Sequence, residues 1–202
     1  MCRGWQIVHH PYPGRGNTMV RVSTPRIAPL APEELGPEAQ KVMGSFKGDT
    51  PLNIFRTLAQ HPDLLRRWLV FANHILGKST LAPRPRELAI LRIGWLCRSA
   101  YEWGQHVVIG RDCGLSEADI QALKAGPEGG HWNEEERWLL RAVDELYLDA
   151  HISDRTWAAL AESWSQEQLM DLVFTVGQYN LVSMALNSFG VQPEPGLPAM
   201  SE

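Results

Sequence analysis

Apolar residues recur at helical spacing along most of the chain. In residues 62–76 they stand three and four positions apart and form one apolar side, made of Leu64, Leu65, Trp68, Leu69, Ala72 and Ile75. Residues 88–96 are apolar at nearly every position except Arg92, which is typical of a helix buried on all sides. No stretch of any length alternates apolar and polar residues with a period of two. The pattern therefore predicts an all-α fold.

Turn-forming and capping residues divide this pattern into helices. Pro83 favours a helix start, because proline is tolerated in a first turn. Ser99 is predicted to begin the next helix, which ends at the Cys113-Gly114 cap. Residues 165–189 form the last predicted helix. The two helices on either side of Ser99 are expected to pack as an antiparallel hairpin at the core.

The two ends of the chain lack the helical pattern of the middle. Residues 1–30 contain Gly, Pro and His without a helical period and are predicted to form a flexible or extended arm. Met19 is a candidate start of the folded protein. Residues 31–191 are predicted to form one helical domain, and residues 192–202 a frayed tail.

Composition and charge narrow the classes of function. The chain has 202 residues, of which 44% are hydrophobic and 21% charged, as in ordinary globular proteins. Its net charge of −4 argues against a nucleic-acid partner. Three cysteines without a Cys-x-x-Cys pair argue against a disulfide scaffold or a structural zinc site. The best apolar run is interrupted by polar residues and the N-terminus does not resemble a signal peptide, so no membrane contact and a cytoplasmic location are expected.

Three ionisable residues are the main candidates for chemistry. Glu102 and His106 are four positions apart, so they lie on the same side of one helix. Glu87 stands 19 residues before His106, at the start of the buried helix, and a hairpin would bring it to the same seam. Two carboxylates beside an imidazole, shielded from water, can transfer protons. Structural roles remain open: a helix-dipole contact for Glu87, a capping box from Ser99 to Glu102, and a hydrogen-bonded core His106.

The same region contains Arg86-Glu87-Leu88, then Tyr101-Glu102-Trp103, His106-Val107 and Cys113-Gly114-Leu115-Ser116. These motifs resemble the carboxymuconolactone decarboxylase and alkyl hydroperoxidase D superfamily. The resemblance covers roughly residues 51–191. It implies a compact helical bundle that assembles as a dimer, trimer or hexamer, with its active-site helices at subunit contacts.

The resemblance also separates two branches of the superfamily. The hydroperoxidase branch carries Cys-x-x-Cys before the histidine, whereas here Ser99 and Glu102 occupy those positions. The decarboxylase branch carries the two glutamates and the histidine that are found here as Glu87, Glu102 and His106. The resemblance therefore implies a carboxy-lyase that needs no cofactor.

The substrate that this branch implies is a small carboxylated lactone or a related aromatic-degradation intermediate. His106 would be the general acid. Glu102 would orient the imidazole or favour its protonated form, and Glu87 would determine how many protons the three residues hold together. Two alternatives remain: a peroxide-related oxidoreductase that uses Cys97, and a non-enzymatic helical oligomer that binds a ligand.

An anionic substrate also needs cationic and pocket-lining groups. The candidates for the cation are Arg84, Arg86, Arg92 and Arg98, of which Arg92 stands out because its neighbours are apolar. For Arg84 and Arg98, pairing with acids on the helix surface is the favoured role. His74, Tyr101 and Trp103 are candidates for the pocket wall, although aromatic residues more often fill the core. His106, Glu87, Glu102 and His74 could in principle hold iron or manganese. The chain lacks the paired Glu-x-x-His motifs of di-metal bundles, so no metal is expected.

Overall fold

A computed structural model describes residues 21–44 and 51–201. Within these ranges the chain forms α-helices and short 3-10 turns and no strand, which confirms the all-α prediction. The α-helices are α1 (Pro37–Met43), α2 (Asn53–Leu58), α3 (Pro62–Gly77), α4 (Pro83–Leu96), α5 (Ala100–Asp112), α6 (Glu117–Ala125), α7 (Glu134–Asp149), α8 (Asp154–Ala161) and α9 (Gln166–Phe189).

Helix α4 lies at the centre of the fold. Every residue from Glu87 to Gly94 is buried, and α5, α6, α7 and α9 all pack around this helix. A helix that is apolar on nearly every side is stable only when neighbours cover it completely. The continuous apolar segment in the sequence therefore marks the centre of the bundle.

The connection between α4 and α5 makes them a tight antiparallel hairpin. Only three residues separate the helices, and Arg98 adopts a left-handed conformation with φ of 51°. The backbone N–H of Ser99 donates to the carbonyl of Gly94, which closes the turn. A Cβ atom on Gly94 would lie 3.5 Å from Cβ of Glu102, so the two helices are in close contact there.

Side-chain caps fix the starts of the later helices. Ser116, Asn133 and Ser165 each form a capping box with the residue three positions on, which satisfies backbone N–H groups at the helix start. Gly190 ends α9 with φ of 71°, and a Cβ there would lie 3.1 Å from the carbonyl oxygen of Thr24. The end of α9 therefore requires a residue without a side chain.

Helix α9 is a core helix with one uncovered side. It is the one helix within the described residues that is long and apolar enough to span a membrane. However, 56% of its apolar window is buried inside the fold, as in the core helix of a soluble protein. The cytoplasmic location itself stays a prediction.

The described part of the N-terminal arm lies along the bundle. The backbone N–H groups of Arg26 and Ile27 donate to the carbonyl of Phe189, at 2.8 and 3.1 Å. The carbonyl of Leu30 accepts from Nε of Arg56 at 2.7 Å. Residues 21–30 are thus an extended segment held by backbone contacts. The remainder of the arm, including Met19, lies outside the described residues.

The C-terminal segment differs from the predicted frayed tail. Met200 is only 1% exposed and belongs to the main core, and Leu197 packs against Gly104 of α5. Glu194 accepts hydrogen bonds from the backbone N–H of Asn53, the hydroxyl of Tyr101 and the amide of Gln105. Fraying was predicted because Gly190, Pro193 and Pro195 end the last helix, but one buried methionine and one carboxylate fix the segment without any helix.

Candidate active site

The α4–α5 hairpin brings the three predicted ionisable residues together. Glu87 projects from the first turns of α4, and Glu102 and His106 project from α5 toward it. Nδ1 of His106 lies 2.7 Å from Oε2 of Glu87, and Nε2 lies 3.4 Å from Oε2 of Glu102. The imidazole therefore bridges two carboxylates, and we call these three residues the acid–base triad.

The triad is almost closed to solvent. The side chain of Glu87 is fully buried, and those of His106 and Glu102 are each 6% exposed. The Ser99 side chain makes no cap hydrogen bond at the start of α5. The capping-box role that remained open for Glu102 is therefore not the one it adopts.

Burial sets the protonation of Glu102. Removal from water raises its pKa, His106 opposes the shift, and the negative charge of Glu87 adds to it, so that the pKa lies at about 7. If Nδ1–H of His106 donates to Glu87, Nε2 is free to accept the proton of a neutral Glu102. The pair can then pass one proton between oxygen and nitrogen near neutral pH.

Tyr179 of α9 completes the site. Its ring meets the imidazole of His106 edge to face, with ring centres 4.8 Å apart and an angle of 88° between the planes. Burial and the charges of Glu102 and Glu87 hold its pKa well above the usual value, so it keeps its proton. Sequence reasoning did not assign Tyr179 to the site. The signal was its place in Gly177-Gln178-Tyr179-Asn180, a stretch within the region of resemblance.

Arg86 is the predicted cation that the structure brings to the triad. Its Nε donates to Oε1 of Glu87 at 3.2 Å, and its NH1 donates to the carbonyl of Leu76 at 3.0 Å. Its side chain is 14% exposed, more than those of the triad. It thus lies between the triad and the molecular surface.

Arg92 does not take part in the site. Its Nε and NH2 donate to Asp144 of α7 at 2.6 and 2.9 Å, and its NH1 donates to the carbonyls of Leu123 and Lys124. Five positions along α4 from Glu87 correspond to a rotation of about 140°, so Arg92 faces α6 and α7. The prediction that Arg92 binds substrate is corrected, because all three guanidinium nitrogens form hydrogen bonds within the fold.

The three predicted wall residues also point away from the triad. His74 pairs with Asp171 at 3.3 Å and is half exposed. The hydroxyl of Tyr101 binds Glu194, and Trp103 packs on Trp95 in the core with ring centres 5.2 Å apart. Each residue next to Glu102 is turned by about 100° around the helix, so sequence neighbours of a site residue face other elements.

The two described cysteines do not form a redox pair. Cys97 closes α4 and donates to Asn180 at 3.2 Å, whereas Cys113 follows the end of α5, at the opposite end of the hairpin. Burial raises the pKa of Cys97 to about 11 and also raises that of Cys113. Both are free thiols that hold their protons.

The described residues contain no group of three or more His, Cys, Asp and Glu side chains arranged to hold a metal. His74, the fourth ligand of the metal site weighed from the sequence, pairs with Asp171 instead. A groove of about 560 Å³ lies between α1 and α3 and is lined by residues such as Glu38, Asp63 and Leu69. It does not touch the triad.

Comparison with known proteins agrees with this arrangement. The model of the carboxymuconolactone decarboxylase family matches residues 62–145, which include the whole of the α4–α5 hairpin. Among curated proteins, no sequence matches this chain.

Solved structures share the fold at low sequence identity. An uncharacterised peroxidase-related protein from Silicibacter sp. TM1040 has 17% identity and a TM-score of 0.70, covering 90% of this chain and 94% of that one. A peroxidase-related protein from Ralstonia eutropha JMP134 with an alkylhydroperoxidase AhpD core has 18% identity and a TM-score of 0.68, covering 84% and 93%. The debrominase Bmp8, solved with 2,3,4-tribromopyrrole, has 17% identity and a TM-score of 0.62, covering 84% and 91%. Residues 62–145 therefore match the carboxymuconolactone decarboxylase family, and the chain shares the fold of alkyl hydroperoxidase D core structures.

Proposed function

We propose that this protein is a cofactor-independent carboxy-lyase that acts on a small carboxylated lactone or a related aromatic-degradation intermediate. The superfamily includes decarboxylases, alkyl hydroperoxidases and debrominases, so the chemistry must be argued from the site. The observation that carries the proposal is the imidazole of His106 between the carboxylates of Glu87 and Glu102. No thiol belongs to this triad.

The triad suits a reaction that consumes one proton. When a carboxylated butenolide loses CO2, the electron pair of the broken C–C bond moves into the unsaturated lactone and forms a dienolate. The dienolate then takes one proton at carbon. Glu102 is neutral at neutral pH, as its pKa of about 7 allows, and first passes its proton to Nε2 of His106; the resulting imidazolium then donates that proton to the dienolate carbon. Water finally reprotonates Glu102.

Two further groups favour an anionic substrate. Arg86 contacts Glu87 of the triad and lies on its outer side, where it can attract the substrate carboxylate. Tyr179 stays protonated and can donate a hydrogen bond to the lactone oxygen as negative charge develops there. Because the triad is closed, we expect the Arg86 side chain to leave Glu87 when substrate enters.

Thiol-based peroxide reduction is less well supported. That reaction needs one thiolate that attacks and a second thiol that resolves the sulfenic acid. Cys97 and Cys113 lie at opposite ends of the hairpin, and both hold their protons more tightly than ordinary thiols.

A CO2-release screen tests the proposal. The wild type is incubated with butenolide and β-keto carboxylic acids, with and without a thiol-blocking reagent and a chelator. We expect CO2 release that neither additive affects. His106→Gln should reduce the rate at least 100-fold, because it removes the proton donor and keeps the shape of the side chain.

His151→Gln is the matched control, since His151 is exposed in the loop after α7. It should leave the rate unchanged. Activity that His106→Gln does not reduce would overturn the assignment of the triad. Activity lost on thiol blocking, with stoichiometric thiol loss on peroxide addition, would favour the oxidoreductase reading. No turnover of any acid would favour the ligand-binding reading.

A further inference from the structure

Two polar side chains of α9 are buried without a hydrogen-bond partner. Thr175 is fully buried, and Gln178 is 4% exposed. Among the described residues, neither Oγ1 of Thr175 nor Oε1 of Gln178 has a partner. A polar atom that leaves water without gaining a partner costs free energy, so most buried polar atoms in folded proteins are paired. We call Thr175 and Gln178 the α9 pair; its unpaired atoms are the kind that a ligand satisfies.

The α9 pair lies where α3 covers α9. Asp171, Thr175 and Gln178 are spaced by four and three positions, which places them on one side of the helix. Before the pair, Nε2 of His74 on α3 lies 3.3 Å from Oδ1 of Asp171. After the pair, Val182 belongs to a core cluster against which a tryptophan of α3 packs. The pair therefore lies between two places where α9 meets α3.

The seam between α3 and α9 leads to the acid–base triad. Thr175 stands one helical turn before Tyr179, whose ring meets the imidazole of His106. At the end of α3, the carbonyl of Leu76 accepts from NH1 of Arg86, and Nε of the same arginine donates to the triad. A ligand that enters beneath the end of α3 and reaches the imidazole therefore comes within reach of the α9 pair.

The chemistry of the α9 pair suits a neutral group that both donates and accepts hydrogen bonds. A threonine hydroxyl can do both, and a glutamine amide has one oxygen that accepts and one NH2 group that donates. Neither side chain is charged, whereas the carboxylate of the proposed substrate has Arg86 as its cation. A hydroxyl group fits the pair because it can accept from one residue and donate to the other.

We propose that Thr175 and Gln178 bind a hydroxyl group of the substrate, at a position away from the carboxylate that leaves. This inference rests on the proposed function and narrows its substrate to a carboxylated lactone, or a related acid, that carries a hydroxyl group. A site built around a substrate hydroxyl rejects the analogue that lacks it, because the buried polar groups then stay unpaired. The α9 pair thus determines specificity and takes no part in proton transfer.

Matched pairs of substrates test the proposal. Butenolide carboxylic acids that carry either a hydroxymethyl or an ethyl group are prepared for each free ring position. For wild type, we expect kcat/KM to favour the hydroxymethyl compound at least about 20-fold at one of these positions. Thr175→Val keeps the shape of the side chain and should reduce this preference at least about tenfold, mainly through KM. Gln178→Leu should reduce it in the same direction.

Thr57→Val is the matched control. Thr57 of α2 is also a buried threonine whose Oγ1 has no partner among the described residues. The same chemical change at this position should leave the preference for the hydroxymethyl compound unchanged. Urea unfolding confirms that all of the variants are folded at the assay temperature.

Calorimetric binding separates this inference from the proposed function. His106→Gln serves as the parent, because it binds the acids without consuming them, and its preference for the hydroxymethyl compound should disappear when Thr175→Val is added. If that pattern is found although wild type releases no CO2, the carboxy-lyase proposal fails and the role of the α9 pair stands. Binding of neither acid, equal binding of both acids to the parent, or a preference that Thr175→Val and Gln178→Leu leave unchanged would overturn the role of the α9 pair.

Discussion

Nδ1 of His106 lies 2.7 Å from Oε2 of Glu87, a residue on the preceding helix. This contact commits one ring nitrogen to a fully buried carboxylate and fixes the plane of the imidazole. The other nitrogen is thereby aimed at Glu102. The orientation of the proton donor is thus set by the α4–α5 packing and not by the substrate.

Glu102→Gln should remove a pH dependence of stability. The pKa of Glu102 is raised from 4.5 to about 7 in the folded protein, so the folded state holds a proton that the unfolded state releases above pH 4.5. Wild-type stability should therefore fall as the pH rises from about 4.5 to about 7, by up to about 3 kcal/mol, and stay level above that. The neutral, isosteric variant should lack this loss. Urea unfolding of both proteins at pH 5 and pH 8 measures the difference; parallel pH profiles would contradict the buried position of Glu102.

Arg92→Leu should destabilise the fold without changing the chemistry. The substitution leaves Asp144 without its partner and two carbonyls without donors. We expect the free energy of unfolding to fall by about 2–4 kcal/mol. At a temperature where the variant is folded, its rate of CO2 release should stay within twofold of the wild-type rate. A large increase in KM with unchanged stability would instead return Arg92 to the substrate site.

The thiol of Cys97 should react slowly in the folded protein. Its pKa of about 11 leaves roughly one thiolate per thousand molecules at pH 8. With Cys2 and Cys113 replaced by Ser, an aromatic disulfide reagent should label Cys97 at least 100-fold faster in urea than in the folded protein. Rapid labelling of the folded state, or loss of the thiol on peroxide addition, would show a reactive cysteine and revive the oxidoreductase alternative.

Glu194 should hold the C-terminal segment in place. Its two oxygens accept from Asn53, Tyr101 and Gln105, so Glu194→Ala leaves three donors without a partner. We expect a loss of about 1–3 kcal/mol in the free energy of unfolding. Glu194→Gln keeps an acceptor oxygen and should lose less than half as much. If a chain ending at Val191 unfolds at the same urea concentration as wild type, the segment contributes nothing.

The sequence predicted the candidate site correctly wherever the position of a side chain depends on a single helix or a single hairpin. Glu102 and His106 meet because they are four residues apart, and Glu87 joins them because a three-residue turn fixes the hairpin. Tyr179 was missed because its contact with His106 joins segments 73 positions apart through the packing of α9. Spacing along one chain segment carries no information on such contacts.

Two errors have related physical causes. Arg92 was predicted as a ligand-binding cation because its neighbours in sequence are apolar, but its partner Asp144 lies on α7, 52 positions away. Residues 192–202 were predicted to fray because Gly190, Pro193 and Pro195 end the last helix, but a few specific side chains hold the described residues 192–201 in place. In both cases the residue that forms the contact lies on a helix far away in the sequence.

The protonation of the His106 ring tests the central claim most directly. Nitrogen-15 NMR of the histidine-labelled full chain at pH 7, with assignment by His106→Gln, reports which ring nitrogen carries a proton. We predict a protonated Nδ1 in a strong hydrogen bond that Glu87→Gln weakens, and an Nε2 signal that shifts when Glu102 becomes Gln. An imidazole that exchanges freely with water and responds to neither substitution would contradict the acid–base triad.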